Sequence, residues 1–526
     1  MKFFSQKIKV GPVKASKFDL SHERKMSLNF GKLVPTLVQD VIPGDSINVK
    51  GTELFMRFAP MLAPIMHRVN VYQHYFFVPN RILWSEWEDF ITGGEDGNSN
   101  PVFPTIRVTG QTGTGTITDQ FGLGSLADYL GVGYTQPPVA VTTNPYDISA
   151  LPFRAYQQIY NDYFRDQNLE TKVAFPKTGG DQTLADTTNG TTYCQNLLTL
   201  RNRAWEKDYF TTSLPWPQRN TQQAFAPVST PPGPGATIAY KSDGINLPTA
   251  GALTVDANGY VYDAQPDALN FTGGTEGELL INELRKANKL QEWLEKQARG
   301  GGRMFETILS HFGVKISDAR VQRAEYLGGG RTPLKISEVL STYDNTAADL
   351  PQGNMAGHGI VSDSFKGFSR NFEEHGYIIG IMSVLPMSAY QNGLERHWLK
   401  KDKFDFAWPS FANLGEQEVK GSEIYYDCMG APGQGTETFG YQSRYAEYKF
   451  KQSTVHGDMR EQFLYWHIGR DFTQAPVLNK DFITCKNTET DRIFAVQEPS
   501  VHKLWCQIYN DVSAIRPLPY YGTPKL

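Results

Sequence analysis

The hydrophobic pattern along the chain is strand-like at both ends, with helical and loop-like stretches between. Residues 26–30 alternate apolar and polar, and residues 34–42 are rich in β-branched side chains. Pro43-Gly44-Asp45 then reads as a turn. Residues 69–78 begin as an alternation and become continuously apolar, which predicts a strand inside a sandwich. Over 81–91, Trp84, Trp87 and Ile91 recur at helical spacing, with Gly93-Gly94 as a stop. A second helix is predicted after Ser149 as N-cap. Pro152 falls in its first turn, and Tyr156, Ile159, Tyr160 and Tyr163 form a stripe. A third helix spans 278–299, with Leu280, Leu284, Ala287 and Leu294 on one face beside Trp293, and a fourth spans 304–312. From 314 onward the pattern is again β-like, with strands predicted over 376–385, 445–450, 463–468, 492–496 and 503–512. Two stretches stand apart. Residues 95–145 are rich in Gly, Thr and Pro and read as a surface connection; residues 216–275, which include Pro231-Pro232-Gly233-Pro234-Gly235, read as an insertion. The sum is a β-sandwich interrupted by insertions.

Composition sharpens this. The 526 residues include 48 Gly and 31 Pro, enough turn formers to favour sheets over helical bundles. Net charge is −4, so any grip on nucleic acid must be local. One local concentration is the polar arm over 1–25, where Lys2, Lys7, Lys9, Lys14 and Lys17 all precede the first acidic residue, Asp19. It reads either as a solvated terminus or as an arm that touches phosphates. Cys194, Cys428, Cys485 and Cys506 have no CxxC pairing and read as reduced thiols, which fits a reducing cytoplasm. The basic start has no apolar stretch behind it, so no signal peptide is expected, and no run is long enough for a membrane span.

Motifs for chemistry are weak. The glycine-rich run 110–116 lacks the Lys-Ser/Thr ending of a phosphate loop. Arg299-Gly300-Gly301-Gly302-Arg303 reads as a helix cap before it reads as a phosphate cradle. The scattered histidines offer no metal spacing, no GxSxG occurs, and Glu86, Glu88, Asp89, Glu373 and Glu374 do not by sequence proximity make a carboxylate pair across a cleft. No catalytic, cofactor or metal residue is therefore assigned. Around 444–451, rings alternate with cations. Arg444, Tyr445 and Lys449 are candidates for stacking on DNA bases and neutralising phosphates, against the alternative of an ordinary strand. The Trp and Tyr content also leaves open a carbohydrate-active enzyme or lectin, and a monomeric attachment protein.

An ordered set of segments resembles one family. It runs through Asp19-Leu20-Ser21-His22-Glu23-Arg24, Ala59-Pro60-Met61-Leu62-Ala63-Pro64, Trp87-Glu88-Asp89-Phe90-Ile91-Thr92-Gly93-Gly94 and Leu151-Pro152-Phe153-Arg154-Ala155-Tyr156. It continues through Ser213-Leu214-Pro215-Trp216-Pro217, Glu325-Tyr326-Leu327-Gly328-Gly329 and Glu374-His375-Gly376-Tyr377 to Phe439-Gly440-Tyr441-Gln442. In this order, over nearly the whole chain, they resemble the major capsid proteins of the microviruses, above all the gokushovirus branch. The resemblance implies a mainly β fold, a single eight-stranded antiparallel jelly roll of viral coat type with long loop and helix-containing insertions. It implies a basic arm over 1–25, a capsid domain over 26–526, and within it a variable surface insertion over 217–275 that builds a threefold protrusion for host attachment. It further implies about sixty copies in a T=1 icosahedral shell around a circular single-stranded DNA genome. Expected partners are a small basic DNA-binding protein, a DNA pilot protein and a host surface receptor, with no cofactor and no membrane insertion. Assembly is expected in the bacterial host cytoplasm. Two places depart from the pattern. Ala324 precedes Glu325 where the family has proline, and 95–145 matches no family segment.

Overall fold

Two antiparallel sheets, joined through one interior, carry the fold. A computed structural model of the chain describes residues 14–108, 121–133, 146–182, 190–219, 253–255, 261–263, 281–340, 355–427, 435 and 437–521. The strands of the sheets are β1 (Ser16–Asp19), β2 (His22–Leu28), β3 (Val34–Val41), β4 (Ser46–Phe58), β5 (Val69–Pro79), β6 (Glu325–Pro333), β7 (Lys335–Leu340), β8 (Met355–Asn371), β9 (Gly376–Pro386) and β10 (Leu504–Arg516). The first sheet runs β10–β4–β8–β7, with β1 and β2 both pairing β10; the second runs β6–β5–β9–β3. The chain is mainly β and antiparallel, as a jelly-roll coat requires. The polar arm expected over 1–25 meets the sheet at Ser16, where β1 pairs Arg516 to Ser513 of the last strand.

Side-chain alternation explains the layering. In β4, Ile47 and Val49 point inward, then Thr52, Leu54, Met56 and Phe58. The switch from odd to even positions follows from a bulge: the β4–β10 register shifts between Asp511 and Val512 and leaves Lys50 as the extra residue. Inward residues of β4, β8 and β10, such as Met56, Phe365 and Ile508, share one core with Val71 of β5 and Val384 of β9. β5 and β9 are buried on both faces. The helix Leu151–Ile159 covers their outer side, placing Phe153, Tyr156 and Ile159 against Phe76, Val78, Ile379 and Ile381. That double burial is why these strands read as continuous apolar runs.

Several local expectations are corrected. Residues 445–450, 463–468 and 492–496 are not strands; they hold the one-turn helix Ala446–Lys449 and the 3₁₀ turns Leu464–Trp466 and Asp491–Ile493. They lie in the long connection between β9 and β10, where the sandwich sheets offer them no edge, and a short apolar run carries no periodicity that separates strand from turn. The helix over 81–91 is two, Asn80–Leu83 and Trp87–Thr92, because Trp84 between them is extended. Ala150, not Ser149, is the N-cap of the next helix, although the Ser149 hydroxyl still accepts the Leu151 N–H at 3.3 Å. Residues Gln218–Gly300 form a unit of their own, containing the hairpin Leu253–Val255/Val261–Asp263 and the helix Ile281–Gly300. The insertion expected over 217–275 overlaps this unit, which also takes in the following helix.

Candidate nucleic-acid and assembly surface

Of the arm lysines, Lys2, Lys7 and Lys9 lie outside the described residues. Lys14 is exposed, and Lys17 is exposed on β1 opposite Ile515. Arg444, Tyr445 and Lys449 come together. Tyr445 adopts a left-handed backbone (φ 60°) that starts the 446–449 turn, and its ring is buried. Its hydroxyl accepts the Trp408 N–H at 3.2 Å. The Arg444 guanidinium lies 4.9 Å from the centre of that ring, and Lys449 Nζ donates to the Arg444 carbonyl at 2.8 Å. Tyr445 is thus a fixed floor, while the neighbouring Tyr448 (55% exposed) and Phe450 present their rings to solvent.

The segment beside them is the one that sequence reasoning missed. His397-Trp398-Leu399-Lys400-Lys401-Asp402-Lys403-Phe404-Asp405-Phe406-Ala407-Trp408 interleaves rings and lysines, and that was its signal. It folds as short 3₁₀ turns, Arg396–Leu399, Lys403–Asp405 and Pro409–Phe411, none of which buries a residue. Trp398 is 70% exposed, and Phe404, Phe406 and Trp408 are also exposed. Backbone N–H groups of Lys401 and Asp402 bind the Asp405 carboxylate at 2.8 and 2.9 Å and hold its pKa below the usual carboxylate range. Lys400 Nζ sits 3.8 Å from the centre of the Tyr448 ring. Underneath, Arg396 bridges Glu423 at 2.8 Å and Glu447 at 3.8 Å, and the Tyr209 hydroxyl donates to Glu423 at 2.9 Å. Burial pushes the Glu423 carboxyl upward against the pull of Arg396. Lys400 is held against Glu447 at 3.8 Å, so the cations free to meet phosphates beside these rings are the exposed Lys401, Lys403 and Lys449. The same rings can be buried against a neighbouring subunit.

Other chemistry is structural. Cys194, Cys485 and Cys506 are buried free thiols, with burial pushing Cys194 up to about 11; Cys428 lies outside the described residues. Among the described residues no group of three or more His, Cys, Asp and Glu is placed to hold a metal, and no helix is long and apolar enough to cross a membrane. Where the chain enters β5, His67 donates from Nε2 to the Met387 carbonyl at 2.6 Å. Burial chiefly, with His467 and Arg492 nearby, holds its pKa at about 4. An unfolded His67 takes up its proton near pH 6.5, so the unfolded state binds more protons between that pH and about 4. Stability is therefore expected to fall as pH drops through this window, by about 2 kcal/mol from this residue after allowing for its partial exposure. Urea melts of wild type and His67→Gln at neutral and mildly acid pH check this: the variant's slope with pH is expected to be flatter, and an unchanged slope would sink the assignment.

A two-sheet antiparallel β framework whose long connections carry exposed rings and lysines is consistent with a viral coat subunit. The profile of the capsid protein (F protein) family matches residues 6–526, and the chain belongs to that family. It is 36% identical to capsid protein VP1 of Bdellovibrio phage phiMH2K, over 97% of this chain and 95% of that protein. Identity is 32% to capsid protein VP1 of Chlamydia phage 1, over 100% and 98%, and 30% to that of Spiroplasma virus 4, over 97% and 95%. These relatives are structural capsid proteins of gokushovirus-like microviruses, not enzymes. The resemblance read from the sequence segments is thereby shown, and the enzyme alternative falls away.

Proposed function

We propose that about sixty copies of this coat protein close a T=1 shell around a circular single-stranded DNA genome. The full-length family match carries the reading, and the strand order supports the finer fold. Taking β1 and β2 as one interrupted strand and β7 as an added edge leaves eight strands, four in each sheet. Along the chain they alternate between sheets except at β5–β6, which is the winding of a jelly roll. The insertion over 217–275 is assigned to a surface protrusion for attachment to a host receptor. DNA contact is assigned to Lys2, Lys7, Lys9, Lys14 and Lys17 and to Arg444 and Lys449, with Tyr448, Phe450 and Trp398 as stacking platforms in place of the buried Tyr445. The near-neutral chain leaves further neutralisation to a small basic DNA-binding protein, and a DNA pilot protein joins the particle assembled in the bacterial cytoplasm.

Electron microscopy of the product expressed in bacteria, with and without nuclease, tests this. Closed shells holding protected single-stranded DNA are expected; soluble monomers would overturn it. Replacing the five arm lysines by serine is expected to flatten the log–log salt dependence of DNA retention by up to about 3.5. An unchanged slope returns the arm to a solvated terminus.

A further inference from the structure

The outer face of β5 and β6, turned away from the sandwich core, holds a cavity of about 590 Å³ lined by rings and cations. Val71, Tyr75 and Phe77 of β5 point into the core, so Tyr72, His74 and Phe76 point outward. Across the register, Arg331, Gly329 and Tyr326 of β6 lie opposite those three. Gly329 permits no side chain, because a Cβ there would sit 2.2 Å from the Gln73 carbonyl oxygen. The cavity lies beside the His74 imidazole, with Tyr326 and Arg331 of β6 in its lining. The His74 ring is 6.2 Å from Tyr72 at an interplanar angle of 19°, and 5.9 Å from Tyr326. Burial and the nearby Arg203 hold His74 at about 4, so the ring is neutral at pH 7.

Charge selects the ligand. Arg203 already lies 4.2 Å from the centre of the Tyr72 ring, which opposes a cationic guest. Lys207 and Arg331 add two exposed cations; Lys207 is paired with Asp166 at 2.9 Å. The one carboxylate in the lining, Glu206, accepts from Asn70 at 3.1 Å. Trp205 in the wall has a buried indole N–H without an acceptor among the described residues. A neutral sugar would use the rings but not the excess of cations. We propose that this cavity receives one unstacked base of single-stranded DNA, over His74 and against Tyr326, with its phosphate toward Arg331 and Lys207. The proposal rests on the reading that the shell encloses single-stranded DNA, and assigns a base site separate from the 397–451 surface.

Ultraviolet crosslinking of intact particles, followed by peptide mapping of nucleotide adducts, is the first arm. Titration of unassembled subunit with a short oligo(dT), read by tryptophan fluorescence, is the second. Adducts on the His74 and Tyr326 peptides are expected. Tyr326→Ala, at a half-exposed position, is expected to weaken oligo(dT) binding about 5- to 150-fold, and Tyr326→Phe to stay within about twofold of wild type. Arg331→Ala is expected to lower the log–log salt slope by about 0.7, one phosphate contact. DNA-filled particles without adducts here, together with oligo(dT) binding indifferent to Tyr326→Ala, would overturn the cavity assignment and leave the enclosure reading standing. Binding of a sialylated glycan in place of oligo(dT) would also overturn it and put the cavity on the outside. Particles free of DNA would overturn the enclosure reading, and the titration alone would then decide the cavity.

Discussion

Replacing Asp208 by alanine is expected to destabilise the folded subunit by about 4 kcal/mol, read as a shift of its urea midpoint at constant slope. The carboxylate is buried in a satellite core made by residues 209–210 and the connection between β9 and β10. One oxygen accepts the backbone N–H groups of Phe210 at 2.9 Å and Thr211 at 2.8 Å. The other accepts the hydroxyl of Tyr390 at 2.7 Å and that of Ser388. Alanine leaves all these donors facing a void. A buried donor left unmade costs about 1–3 kcal/mol, and the two hydroxyls can turn elsewhere more readily than the two amides. Asp208→Asn keeps an acceptor for the amides and is expected to cost roughly half as much. A loss under about 1 kcal/mol for alanine would mean that water or repacking replaces the carboxylate. The effect reaches beyond one residue, because Ser388 and Tyr390 begin the connection that carries the 397–451 surface. Loosening them from Asp208 is expected to blunt that surface as well.

The sequence made the sandwich legible where burial imposed a period. The last strand was expected over 503–512 and is Leu504–Arg516; the run over 376–385 is Gly376–Pro386. Each is held by neighbours on both sides, so its pattern answers to the sheet. The long connection before β10 has no such frame. Its 3₁₀ turns are fixed by single contacts, such as the carboxylate of Asp405 on two backbone amides, and those leave no periodic trace. The candidate surface was half legible for the same reason. Arg444, Tyr445 and Lys449 do meet, but the left-handed backbone at Tyr445 that buries its ring has no signature in a residue type that rarely adopts it. The cavity over His74 was illegible, because it depends on a β-register that sets Gly329 opposite His74 across about 250 residues of chain.

Asn510→Ala is expected to cost about 3 kcal/mol by separating the two sheets at a polar tie in the middle of the core. Asn510 on β10 is fully buried, as are Thr36, Thr52, Gln73 and Tyr75 around it. Thr52 on β4 donates to its side-chain oxygen at 2.8 Å, and the Tyr75 hydroxyl on β5 lies 2.5 Å from the Thr52 oxygen. The Asn510 amide donates to the Thr36 carbonyl on β3 at 3.1 Å, and Gln73 on β5 donates to the Thr36 hydroxyl at 2.7 Å. The chain of bonds thus runs from the first sheet to the second. Apolar side chains alone would let the sheets slide over one another; this tie rewards one register, since a slip of one residue would strand every member without a partner. A double-mutant cycle separates that role from simple filling of space. Asn510→Leu alone takes away the acceptor of the Thr52 hydroxyl, which keeps only its contact with Tyr75, whereas Asn510→Leu with Thr52→Val removes both ends of the 510–52 bond. The pair is expected to cost at least about 1 kcal/mol less than the sum of the singles. Strict additivity would show that the side chains only fill volume, and the register would then rest on the bulge at Lys50 and on the apolar alternation.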